Sequence, residues 1–172
     1  MMGLPFDNLR QRSFVIETLA REDATHLVPI HAGTFRQPWS EDDFHALLGE
    51  ANVFGFIARE EGNRAAQPGG FVLARLVLDE AEILTIAVAP QFQRKGVGHA
   101  LMDAALRHLY NARATMLFLE VDELNAPALA LYRSLGFKQV GKRPGYYETP
   151  SGRSAALTMR RDLGHRETGS GR

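Results

Sequence analysis

Two side chains with proton-transfer chemistry stand in apolar surroundings late in this 172-residue sequence. Glu120 falls near the end of the run TMLFLEV, and Tyr132 lies on the stripe Ala128, Leu131, Tyr132, Leu135. Strand alternation puts Met116, Phe118 and Glu120 on one face. A carboxylate on such a face loses solvation, which raises its pKa and makes it a stronger proton acceptor. A buried phenol needs a partner for its hydroxyl. With a reference pKa of about 10, it can protonate a departing thiolate of about 8.5. The plain alternatives are a rim glutamate paired with a base and a core tyrosine. The residues alone leave both pairs of readings open.

A third feature is QRKGVGHALMDAAL, which follows the apolar stretch ILTIAVAP. Glycines at the mouth of a helix let the backbone approach a ligand, and free N–H groups there suit a pyrophosphate. Arg94 and Lys95 add positive charge. The loop is not a Walker A motif, because no Lys-Ser or Lys-Thr follows the glycines. Nor is it a dinucleotide fingerprint, because the third glycine position holds Leu101. What remains is QxxGxG: Gln93, Gly96 and Gly98. A glycine-rich turn with a solvated basic pair would read the same way. Asn125 likewise has two readings, a helix cap and a ligand contact at the helix mouth.

Alternating elements must hold these groups. SFVIETLA reads as a first strand, and a helical region runs through HLVPIHAGTF. Ser40 caps a second helix with acids in its first turn. NVFGFIARE and FVLARLVL form a hairpin across the loop EEGNRAAQPGG. AEILTIAVA is another strand, followed by a helix from about Gly96. That helix carries Leu101, Met102, Ala105, Leu106 and Leu109 on one face, with His99, Asp103 and Arg107 opposite. TMLFLEV has the length and composition of a parallel strand covered on both faces. NAPALALYRSLGF is a short helix that Asn125 can cap and Gly136 stops. FKQVG and SAALTMRR close the chain as strands. The pattern predicts a mixed α/β sheet with a parallel pair at its centre.

Composition narrows the class. The apolar share is 45% and the charged share 23%, ordinary for a globular chain. Twenty basic residues balance twenty acidic ones, which argues against a general nucleic-acid binder. The chain has no cysteine, so disulfides, thiolate catalysis and cysteine zinc sites are excluded. No apolar run approaches the roughly 20 residues that span a bilayer, and MMGLPFDNLRQRSF lacks a signal-peptide core. The expectation is a cytoplasmic protein with no membrane or direct nucleic-acid partner. One domain is expected over residues 1–163, with a disordered tail at 164–172.

Taken together, LTIAVAPQFQRKGVGHALM, LFLEV and NAPALALYRSLGF resemble the GNAT superfamily of N-acetyltransferases. QPWSEDDF, LVLDEAEILTIAV and GYYETPSGR narrow the resemblance to ribosomal-protein-alanine N-acetyltransferases of the RimI type. The resemblance implies a central, mostly antiparallel mixed sheet with a splayed parallel strand pair, flanked by helices. It implies acetyl-coenzyme A as cosubstrate and no metal. The pyrophosphate would lie on the backbone of Gln93, Arg94, Lys95, Gly96, Val97, Gly98 and His99. The pantetheine would run along Ile86, Ala87 and Val88, with an N–H near Val88 polarising the thioester carbonyl. By position, Glu120 matches the general base, Asn125 the cofactor-side asparagine and Tyr132 the general acid. The implied mechanism is direct transfer, since a cysteinyl acyl-enzyme is impossible without cysteine.

An α-amine with a pKa near 7.7–8.0 is easier to deprotonate than lysine at about 10.4. The resemblance points the same way, to the N-terminal alanine of a small-subunit ribosomal protein as partner. Gln37, Trp39, Tyr146 and Tyr147 occupy the regions that shape the peptide groove in that type, with packing as the alternative for each. Asp122 departs from the basic residue often found after LEV, and EEGNRAAQPGG looks long for the type. Acceptors other than an α-amine (lysine side chains or small amines) and a non-catalytic coenzyme A-binding module are the competing readings.

Overall fold

The computed structural model describes residues 13–164. Apart from Gly164, the expected disordered tail lies outside the described residues. Seven strands form one sheet in the order β1-β2-β3-β4-β5-β7-β6. β1 (Phe14–Thr18), β2 (Val53–Glu60), β3 (Gly70–Val77) and β4 (Glu80–Val88) pair antiparallel in sequence order. β5 (Met116–Asp122) runs parallel to β4, and β7 (Gly152–Asp162) separates it from the edge strand β6 (Lys138–Thr149). The parallel pair is at the centre, as the alternation of elements predicts. Among the described residues, no helix is long and apolar enough to cross a membrane.

Helices cover both faces. α3 (Val97–Asn111) and α4 (Ala126–Ser134) press their apolar stripes onto one face, where Leu101, Met102, Leu109, Leu117 and Leu119 share a core. α1 (Ala24–Ala32) and α2 (Glu41–Leu48) cover β2, β3 and part of β4 on the other face, around Leu27, Phe44, Ile57 and Phe71. α2 starts where Ser40 predicts. Ser40 Oγ accepts the Asp43 N–H at 3.2 Å, and Asp43 Oδ2 accepts the Ser40 N–H at 2.8 Å. This reciprocal box satisfies two helix-end donors.

One irregularity opens the sheet. Leu73 pairs with Thr85 and Ala74 with Ile83, so Leu84 is an extra residue in β4. A bulge bends its strand and increases the local twist. The β4–β5 ladder accordingly stops after Glu82 and Phe118, and the two strands part toward their C-terminal ends. β5 is therefore not covered on both faces, contrary to its apolar composition. Leu117, Leu119 and Val121 are buried on the α3 side, while Met116 and Phe118 are half-buried and Glu120 is exposed. The second face of β5 is the wall of an opening.

Candidate active site

The opening is a cleft of about 1850 Å³ that draws on every layer of the molecule. Gln93, Arg94, Gly96, Gly98 and His99 line it from the turn before α3. Ile86 and Val88 line it from β4, Glu120 from β5, and Asn125 and Tyr132 from α4. The loop after α1 brings Gln37 and Trp39, and the β6–β7 hairpin brings Tyr146 and Tyr147. Of the residues singled out in the sequence, three stand apart. Ala87 and Val97 turn their side chains into the two cores, which leaves only their main chain for a ligand. Lys95 is exposed and does not line the cleft.

The glycine turn has the backbone geometry of an anion cradle. Gly96 sits at φ +81° as the residue preceding α3, and Arg94 also has a positive φ of 60°. Left-handed residues in such a turn gather successive N–H groups on one side. The first backbone bond of the helix is from Ala100 N–H to Gly96 O at 3.0 Å, so the preceding N–H groups have no intrahelical acceptor. A Cβ added at Gly96 would meet nothing within 4 Å, so the space beside the loop is open. Gln93 does not reach outward: its Nε2 donates to Val88 O at 3.1 Å and ties the loop to the end of β4. Ala89 N–H turns back to Gly69 O at 2.8 Å. Strand alternation then sends the Val88 N–H to the opposite edge, into the gap left by β5. These features fit a pyrophosphate and a thioester carbonyl.

Glu120 departs from the expectation of a desolvated carboxylate. Its side chain is 38% exposed, and Arg143 Nη2 stands 3.3 Å from Oε1. The apolar neighbours that suggested burial, Leu119 and Val121, face the other side of the sheet. Tyr132 is as buried as its stripe predicts, packed edge-on against Phe137 with ring centroids 5.8 Å apart. Burial, reinforced by the nearby Tyr147, pushes its hydroxyl up to about 12. It is thus a weaker acid than the reference phenol. The Tyr147 hydroxyl is also raised, first by burial and then by Glu120. Asn125 Oδ1 accepts the Ala128 N–H at 3.2 Å, so the capping reading holds. Its amide NH₂ is the group left to donate into the cleft.

Sequence reasoning did not single out His31, Arg36 or Arg143. Arg36 Nη1 donates to Glu148 O at 3.3 Å, bridging the loop after α1 to the β6–β7 hairpin across the cleft. His31 stacks on Phe35 and Trp39, with centroids 4.3 and 4.9 Å away, and its Nδ1 accepts the Trp39 N–H at 3.1 Å. That bond sets the tautomer, with the proton on Nε2, and anchors the loop carrying Gln37 and Trp39. Such contacts arise from packing between elements, and spacing along the chain carries no signal for them.

Burial lowers the His31 pKa from 6.5 to about 4. Because the folded value lies below the unfolded one, the unfolded chain takes up the proton first as pH falls. Stability from neutral His31 is therefore present above about pH 6.5 and is lost progressively toward pH 4. The expected loss between pH 7 and 4.5 is about 2–3 kcal/mol. Urea unfolding at both pH values checks this, with His31→Phe as reference. The drop in stability should be smaller in the variant by that amount, and equal drops would exclude His31 as the source.

The acetyltransferase (GNAT) family pattern matches residues 24–137 of this chain. The chain is 41% identical over 122 residues to the [ribosomal protein bS18]-alanine N-acetyltransferase of Escherichia coli strain K12, covering 71% of this chain and 79% of that protein. It is 39% identical over 152 residues to the N-alpha-acetyltransferase RimI of Mycobacterium tuberculosis, covering 87% and 92% of the two. The crystal structure of the ribosomal-protein-S18-alanine N-acetyltransferase from Escherichia coli superposes with a TM-score of 0.83 at 32% identity. That superposition covers 91% of this chain and 98% of the other.

Proposed function

Because this chain belongs to the acetyltransferase (GNAT) family and is an acyltransferase, we propose that it acetylates a protein N-terminal α-amine, with acetyl-coenzyme A as donor. The acceptor in this reading is the N-terminal alanine of the bS18-type ribosomal protein, in the cytoplasm. The observation that carries the reading is the convergence in one cleft of a pyrophosphate cradle, the freed edge of β4, a carboxylate and a phenol. A relative named for that acceptor and another named as an N-alpha-acetyltransferase support the choice of amine.

The donor supplies an activated acetyl group. The backbone N–H groups at the start of α3 hold its pyrophosphate, with Arg94 adding charge. The Val88 N–H, aimed into the gap, serves as the oxyanion donor, a role worth about 2.7–4 kcal/mol when well placed. Glu120 removes a proton from the acceptor amine, directly or through one water. Tyr132 meets the charge developing on the departing thiolate. Gln37, Trp39, Tyr146 and Tyr147 line the acceptor side, where the Arg36–Glu148 hydrogen bond ties the loop after α1 to the β6–β7 hairpin.

The test is a competition between two peptides, one starting with a free alanine and one blocked at its N-terminus with an internal lysine. Mass spectrometry after incubation with acetyl-coenzyme A should find the acetyl group on the alanine α-amine at least tenfold faster. Equal turnover of both peptides would refute the α-amine assignment.

A further inference from the structure

Arg143 reaches from β6 across β7 to the carboxylate assigned as base. Its Nη2 is 3.3 Å from Glu120 Oε1, and its guanidinium carbon lies 4.8 Å from the centroid of the Tyr146 ring. The reach is diagonal: Arg143 shares its row with Ala156 and Asp122, while Glu120 lies two residues back along β5, opposite Thr158. The Arg143 side chain is 59% exposed, and exposed ion pairs contribute little to stability. Folding does not account for the pair well.

The surrounding charges are few. Asp122 shares the β5 face with Glu120. The Tyr147 hydroxyl feels Glu120 and Asp122 as raising influences and Arg143 as a lowering one. Lys142 is engaged with Glu123 at 3.2 Å, and Arg153 with Glu148 at 3.5 Å. On β7, Glu120 faces the uncharged Thr158, and Arg160, which shares that face beside it, is engaged with Asp162 at 3.0 Å. Arg143 is therefore the cation placed on Glu120 itself.

A lone carboxylate beside an incoming amine favours the ammonium, which has no lone pair to attack a thioester. A guanidinium on the same carboxylate offsets that field. We propose that Arg143 opposes binding of the acceptor as its ammonium ion, so that the amine reaches the thioester in its neutral, nucleophilic form. The inference rests on the reading of Glu120 as base. Arg143 makes and breaks no bond; the amine proton goes to Glu120 or to water.

The experiment measures kcat and KM for an alanine-starting peptide from pH 6 to 9.5, with the wild type, Arg143→Gln and Arg143→Lys. With Gln, kcat at pH 7 should fall about tenfold while peptide KM stays level or drops. The rising limb of the kcat profile should move up by roughly one pH unit, so that activity is regained near pH 9. Lysine, which keeps the charge, should stay close to wild type. An unchanged kcat, or a loss of the same size at every pH, overturns the proposal. Wild-type turnover with coincident profiles overturns the role of Arg143 alone, whereas no turnover by the wild type overturns the functional reading and this inference together.

Discussion

Glu120→Gln is expected to lower kcat by about 10²–10⁴-fold, the range over which a positioned general base acts. Glutamine keeps the size of the side chain and its capacity for hydrogen bonds, and loses the capacity to hold a proton together with the charge that pairs with Arg143. Glu120 is exposed and half turned to solvent, so the substitution leaves the core untouched and the fold intact. KM for acetyl-coenzyme A should hardly change, because the donor contacts assigned above lie on β4 and the turn before α3. Raising the pH should recover part of the loss, since a larger share of the acceptor amine is then neutral without help. Steady-state kinetics at pH 7 and pH 9 check both points. A kcat within twofold of wild type at pH 7 would remove Glu120 from the mechanism.

The second large effect belongs to Tyr132→Phe, for which kcat should fall by about 10²-fold or more. The phenol at about 12 keeps its proton throughout the working range, so it remains a donor from acid to alkaline pH. Full proton transfer from such a group to a thiolate of about 8.5 is uphill. In the proposed mechanism its first service is therefore a hydrogen bond to the developing charge. The deficit of the variant should shrink as pH rises past about 8.5, where a free thiolate is stable without protonation. Phenylalanine preserves the packing on Phe137, and the thermal midpoint should stay within a few degrees of wild type. A kcat that does not fall, in a variant shown by circular dichroism to be folded, would mean that water or another group meets the thiolate.

Local signals in the chain are strong for the elements and for the glycine turn before α3. The capping serine at position 40, the stripe from Leu101 to Leu109 and the asparagine at the start of α4 all mark structure that forms where they predict it. Each rests on contacts within about four residues. The environment of Glu120 is less legible in the sequence. Alternation places it on the face of Met116 and Phe118, but an apolar strand in a sequence does not say which of its faces is covered. The bulge at Leu84 decides that, by turning β4 away just where β5 would otherwise be screened.

The amino-acid sequence by itself determined the family, the order of elements and the residues that carry charge or protons, because these depend on residue type and short-range spacing. Tertiary structure alone decided the chemistry those residues experience. Arg143 meets Glu120 across an intervening strand, and Arg36 meets Glu148 over 112 residues of chain. His31 is buried by four aromatic rings contributed by three different segments, the loop after α1, α2 and β3. Register and bulges set these meetings, and they follow from how the whole sheet packs rather than from any one stretch of it.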